Sequence, residues 1–156
     1  MRRSDLNRDR YSGNVYLDQS KGKTMKLIIG GYSQGKLAFA KEKYALSDEC
    51  IFEDELPSKE EKEKLVSENK TIVIHNLHKW IRKRIKEGKR AEEEIASFVN
   101  SYSNVIIICD EIGNGIVPMD PFERVYRERT GRILIDLAKE AEEVWRVVCS
   151  LGQKIK

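Results

Sequence analysis

A glycine-rich run ending in lysine, Gly30-Gly31-Tyr32-Ser33-Gln34-Gly35-Lys36-Leu37, carries the clearest chemistry in the sequence. The pattern Gly30-x-x-x-x-Gly35-Lys36 suits phosphate. Glycines let the backbone curl so that its N–H groups point inward, a following helix adds positive potential, and the lysine reaches the outer phosphates. Leu37 stands where a Ser or Thr hydroxyl would normally meet Mg²⁺, so the pattern departs at its last position. Two further polar clusters bear on the same chemistry, His75-Asn-Leu-His78 and Asp110-Glu-Ile-Gly-Asn-Gly115. Asp110 or Glu111, at a strand end, is where a carboxylate can hold Mg²⁺ directly or through water; His75, at a strand end beside the loop, reads first as a polar loop-lining residue and second as a hydrogen-bond donor to phosphate.

These residues need a scaffold, and the apolar pattern supplies one. Leu27-Ile-Ile29 is too short for a helix and reads as a buried strand running into the glycines, with a helix over 37–43 behind them. Thr71–Ile74 and Asn104–Cys109 read as further strands, the second apolar enough to be central, and Cys50–Phe52 as a short edge strand. Ser58 is a suitable N-cap for a short helix with Glu60 and Glu61 in its first turn. Leu77, Trp80, Ile81 and Ile85 recur at helical spacing, and Gly88 ends that helix before another from Ala91 to Tyr102, with Ile95, Phe98 and Val99 apolar. Pro121 opens a long helix to about Glu142, with Phe122, Val125, Tyr126, Ile133, Leu134 and Leu137 expected to face inward. Glu143–Cys149 is then the last strand before a polar, basic C-terminus. Strands alternating with helices predict an α/β fold with a mostly parallel sheet and helices on both faces. In such sheets ligands lie beyond the carboxyl ends of the strands, where all three polar clusters fall.

Composition bounds the rest. The chain has 156 residues, 40% hydrophobic and 35% charged, with a net charge of +3. Residues 1–24 hold six basic side chains against three acidic ones, so 25–156 are neutral overall and no whole-domain field calls for nucleic acid. That aperiodic, polar segment is expected to be a disordered or loosely attached extension, leaving 25–156 as one domain. The longest apolar run is too short for a membrane and the N-terminus has no apolar signal region. With three cysteines in no metal spacing, and Cys109 and Cys149 inside apolar runs expected to be buried and reduced, a cytoplasmic protein is expected.

Taken together, Gly30-Gly-x-x-x-Gly-Lys36, Glu111-Ile-Gly-x-Gly-Ile-Val-Pro118 and the ending Glu143-Val-Trp-x-Val-Val-x-x-x-Gly-x-Lys-Ile-Lys156 resemble one enzyme family. It is the bifunctional adenosylcobinamide kinase/adenosylcobinamide-phosphate guanylyltransferase of cobalamin biosynthesis, and Arg127, Gly131 and Arg132 also match its pattern. The resemblance implies a RecA-like P-loop fold. It implies phosphorylation of the aminopropanol hydroxyl of adenosylcobinamide by ATP or GTP, then GMP transfer from GTP through a phosphoramidate on a histidine. Gly30 to Leu37 would wrap the phosphates, Lys36 and Glu111 would be the catalytic pair, and Gly113, Gly115, Pro118, Arg127 and Arg132 would form a substrate and subunit-contact surface in a homotrimer.

The departures from the family are specific. The segment that carries its guanylylated histidine is missing, since Tyr44 is followed within a few residues by Ile51 and no histidine precedes His75. Where the family ends its next strand in an acid and a cysteine, this chain has His75 and Asn76, which do not replace a carboxylate toward Mg²⁺. The kinase step is therefore the expected activity, with a weakened Mg²⁺ site and a doubtful guanylyl step. A P-loop module that binds nucleotide without turnover, as a partner or sensor, is the alternative. Nucleic-acid binding through Lys79–Lys86 is weak, because those charges alternate with core-facing residues on one helix.

Overall fold

The computed structural model describes residues 22–156. The expected extension thus lies, for residues 1–21, outside the described residues, and strand β1 (Thr24–Gly30) already claims Thr24. Helix α1 (Lys36–Tyr44) follows the glycine loop, then a 3-10 turn (Asp48–Cys50) and strand β2 (Ile51–Glu53). Helix α2 (Lys59–Ser67), strand β3 (Ile72–His75), helices α3 (Leu77–Lys86) and α4 (Ala91–Asn100), and strand β4 (Asn104–Asp110) come next. Helix α5 (Pro121–Glu140) leads to strands β5 (Glu143–Val148) and β6 (Leu151–Lys154). The path from α1 to β2 is direct, with no further helix or strand where the family pattern places its histidine segment.

One six-stranded sheet runs in the order β2-β3-β4-β1-β5-β6, and every pairing is parallel except β5 with β6. The most apolar strands are central for a physical reason: β4 and β1 are covered on both faces, so they can carry Val and Ile at successive positions. One face of the sheet packs Leu27, Ile74, Ile107 and Val144 against α2 to α5 through Leu65, Leu77, Trp80, Ile81, Ile95, Phe98, Ile133 and Leu137. On the other face Ile28, Val73, Ile106, Ile108 and Val147 lie under α1, around Ala40. The α/β architecture with helices on both faces is as the pattern predicted. So is the cap of α2: Ser58 Oγ accepts from Glu61 N–H while the Glu61 carboxylate accepts from Ser58 N–H, a reciprocal capping box.

Three expectations need correction. The C-terminus is no polar extension: Leu151–Lys154 pairs antiparallel with β5, from Val148↔Leu151 to Trp145↔Lys154. An edge strand exposed along its length carries no apolar alternation, so its sequence does not announce it. Cys149 is exposed rather than buried, because the apolar run of β5 ends at a turn. Val125 is 45% exposed. The rest of the expected stripe holds: α5 buries Tyr126, Ile133 and Leu137 together with Thr130, and Phe122 and Leu134 pack partly buried against the core.

Candidate active site

The carboxyl ends of β1, β3 and β4 open into a cleft of about 280 Å³. Its walls are Tyr32 to Ala38 of the glycine loop and first turn of α1, His75 and Asn76 at the end of β3, Lys79 of α3, and Asp110 at the end of β4. The start of α1 forces this arrangement. Gly35 is its N-cap with φ 82°, a left-handed conformation that needs glycine, and no side chain caps the helix. The amides of the first turn therefore have no intrahelical acceptor and border the cleft, where the helix dipole favours an anion.

Lys36 sits at the bottom of the cleft, 6% exposed. Its Nζ donates to the Gly31 carbonyl at 2.6 Å and pairs with Asp110 Oδ1 at 2.6 Å. Asp110 is itself buried and is approached on its other oxygen by His78 Nε2 at 3.5 Å. Asp110 N–H donates to His78 Nδ1 at 3.2 Å, so Nδ1 is the acceptor nitrogen of a neutral imidazole and Nε2 bears the proton. Burial holds the His78 pKa below its ordinary value, against the opposing pull of Asp110. Tyr126 Oη donates to the His78 carbonyl at 2.7 Å, tying this corner to α5.

His75 faces the same cleft from two strands away, across β4. Its pKa is lowered, first by burial, with Glu53 pulling the other way. His75 Nδ1 is buried without a hydrogen-bond partner, the Glu53 carboxylate being 3.7 Å away. Asn76 takes a left-handed φ of 58° to turn the chain into α3, and its amide donates to Glu53.

The other candidates lie elsewhere. Glu111 does not line the cleft, and its carboxylate is paired with Arg146 Nε at 3.1 Å. Gly113, Gly115 and Pro118 belong to the loop between β4 and α5, whose Ile116 and Met119 are each 92% exposed. Arg127 holds that loop by donating to the Ile116 carbonyl at 2.9 Å, and Arg132 pairs with Glu128 along α5. This loop leaves the sheet directly after Asp110, which lines the cleft.

The carboxylates expected to hold Mg²⁺ are each paired with a cationic side chain, Asp110 with Lys36 and Glu111 with Arg146. Among the described residues no three His, Cys, Asp or Glu side chains converge as a metal cluster. Lys36 and His78 occupy the two oxygens of Asp110, Arg146 neutralises Glu111, and Leu37 offers no oxygen.

Sequence reasoning missed Lys79, His78 as the partner of Asp110, and Arg146. A signal existed for Lys79, since Asn76 and Lys79 at the start of α3 are three residues apart and share a helix face. None existed for Arg146. It reaches Glu111 only because β1 pairs with both β4 and β5, setting Gly30 opposite Asp110 and Ile29 opposite Arg146.

The family model for cobinamide kinase / cobinamide phosphate guanyltransferase matches residues 49–155, more than half of the chain and beginning after the glycine loop. A bifunctional adenosylcobalamin biosynthesis protein of Escherichia coli (strain K12) is 31% identical over 127 residues, covering 74% of this chain and 68% of that protein. A protein of the same description from Salmonella typhimurium is 40% identical over 62 residues, 40% of this chain and 34% of its own length. Among the described residues no helix is long and apolar enough to cross a membrane. The chain belongs to the cobinamide kinase / cobinamide phosphate guanyltransferase family, as a shortened and divergent member with a P-loop α/β fold.

Proposed function

We propose that this protein binds a nucleoside triphosphate, GTP or ATP, in the cleft and phosphorylates the aminopropanol hydroxyl of adenosylcobinamide. The observation that carries this is the buried Lys36, held between the Gly31 carbonyl and Asp110 beneath the uncapped N-terminus of α1. Amides of Gly35 to Ala38 receive the outer phosphates, and Lys36 turns from Asp110 to neutralise charge on the transferred group. Asp110 is then left as the carboxylate beside the reacting centre. It accepts the proton of the acceptor hydroxyl as that oxygen bonds to the γ-phosphorus and the bond to the β-phosphate oxygen breaks, leaving a nucleoside diphosphate. His78 keeps Asp110 oriented, and Lys79 and His75 flank the phosphates. Lys36 and Asp110 are the proposed catalytic residues; Glu111, paired with Arg146, is proposed to shape the loop that follows. The exposed loop from Gly113 to Met119, with Arg127 and Arg132 behind it, is the proposed substrate and subunit-contact surface of a homotrimer.

A guanylyl step through a covalent histidine is not part of this reading. The chain has two histidines, one buried behind Asp110 and the other partly buried in the cleft wall at the end of β3. A second reading, nucleotide binding without turnover, draws support from Leu37 and from the occupied carboxylates. Calorimetric titration of GTP and ATP, with and without Mg²⁺, into the protein and into Lys36→Ala tests the shared premise. The expected result is micromolar binding that Lys36→Ala abolishes. A coupled assay with adenosylcobinamide then separates the readings: nucleoside diphosphate production dependent on cobinamide supports the kinase, and binding without turnover supports the module. No binding of either nucleotide overturns both.

A further inference from the structure

Besides Asp110 at the end of β4, which holds Lys36, the final hairpin holds the phosphate loop. β5 and β6 are joined by Cys149-Ser150, whose φ values are 50° and 63°. A two-residue hairpin with both central residues left-handed matches the twist of its strands, but Asn and Gly adopt that conformation readily and Cys and Ser do not. The turn is nevertheless formed, and its two N–H groups both point at one residue of the glycine loop. Cys149 N–H donates to Gln34 Oε1 at 2.8 Å, and Ser150 N–H donates to the Gln34 backbone carbonyl at 2.8 Å. The contact is close along its length. A Cβ at Gly30 would overlap the Val147 carbonyl, and one at Gly35 would overlap the Ser150 hydroxyl. The two glycines of the motif are therefore required by the hairpin as well as by any phosphate.

We infer that Gln34 is a positioning residue that clasps the phosphate loop to the β5–β6 turn and so presets the loop for a nucleoside polyphosphate. The inference rests on the nucleotide-binding reading above for its consequence, though not for the clasp itself. Gln34 is the only loop side chain with an acceptor committed to the hairpin backbone among the described residues. A loop already fixed in its bound shape loses less conformational freedom when ligand arrives, so the clasp acts on affinity without touching the phosphate.

The test uses the full chain and two substitutions that split the role of Gln34. Gln34→Met keeps its length and removes the acceptor, whereas Gln34→Glu keeps an acceptor for Cys149 N–H. Amide hydrogen exchange is followed across residues 31–36 by NMR, beside thermal midpoint and calorimetric affinity for GTP and ATP. Gln34→Met is expected to speed exchange in 31–36 selectively and to weaken nucleotide binding roughly tenfold, as losing one hydrogen bond that orders a loop should. Gln34→Glu is expected to retain slow exchange there. Unchanged exchange in Gln34→Met overturns the clasp, as does faster exchange spread evenly over the sheet. Should Gln34→Met fail to fold, the unmodified protein decides: the Cys149 and Ser150 amides, both donors to Gln34, must exchange slowly, and fast exchange at either overturns the clasp. Absence of nucleotide binding by the unmodified protein would instead overturn the proposed function, leaving the exchange comparison to judge the clasp.

Discussion

Replacing Lys36 or Asp110 should destabilise the protein, and replacing both should destabilise it less than the sum. The two charges are 2.6 Å apart and their side chains are 6% and 12% exposed. At an effective dielectric constant of about 20, unit charges at that separation attract by roughly 6 kcal/mol. Most of this is offset by the cost of desolvating both groups, which is why such pairs contribute little net stability. Removing one partner is different, because the other stays buried and uncompensated. For Lys36→Met that residue is Asp110, left with His78 and its own backbone. For Asp110→Asn it is Lys36, left with the Gly31 carbonyl. Each single change should cost about 2–4 kcal/mol, somewhat under the figure for a fully buried pair because the cleft admits water. The double variant should cost less than the two together, with a coupling of about 2 kcal/mol. Urea denaturation at neutral pH measures all four proteins. Additivity within about 0.5 kcal/mol would refute the claim that these groups are a buried, interdependent pair. Binding provides the control: both variants lacking Lys36 should fail to bind nucleotide whatever their stability.

Other consequences follow from burial and geometry. His75 and His78 are both held below the ordinary histidine pKa, chiefly by burial, so the unfolded chain takes up protons that the native protein refuses as pH falls below about 6.5. The urea midpoint should therefore be lower at pH 5.5 than at pH 7.5, and less so in His78→Gln; the depressed carboxylates Glu49, Glu61, Glu92 and Glu143 do not confuse the comparison, since they remain ionised over this range. A midpoint equal at the two pH values would contradict this. Of the three cysteines only Cys149 should react quickly with a thiol reagent in the native protein, Cys50 being buried and the Cys109 thiol both buried and pushed up to about 12. Two fast thiols would show that one of these environments is misassigned. Gly152→Ala should lower stability by about 1–3 kcal/mol, because a Cβ there would overlap the Phe39 ring that lies on β6 beside Trp145. A thermal midpoint at or above that of the unmodified protein would refute that packing.

Where the sequence was legible, the physics was local. The strand of Leu27 to Ile29, the loop from Gly30 to Lys36 and the cap at Ser58 each depend on residues within a few positions, and each stands in the structure. The length and apolarity of Asn104–Asp110 placed it at the sheet centre, since only a strand covered on both faces buries so many consecutive apolar side chains. Val125 and Cys149 were misread because an apolar residue in an apolar run carries no sign of which neighbour fails to cover it. β6 escaped because an exposed edge strand needs only backbone pairing, which any polar sequence can supply.

The sequence by itself determined the family, the order of strands and helices along the chain, and the residue types available at the carboxyl edge of the sheet. Which of them meet was decided by tertiary structure. Strand order put β4 between β3 and β1, so that Asp110 faces Lys36 and His78 while its neighbour Glu111 points the other way to Arg146. Adjacent residues at the end of a strand leave on opposite faces, and pairings 35 and 115 positions apart in sequence then fix what each encounters: Arg146 for Glu111, and Cys149 for Gln34. Local pattern is silent at such distances, because backbone ladders and packed faces bring those groups together only once the whole sheet has formed.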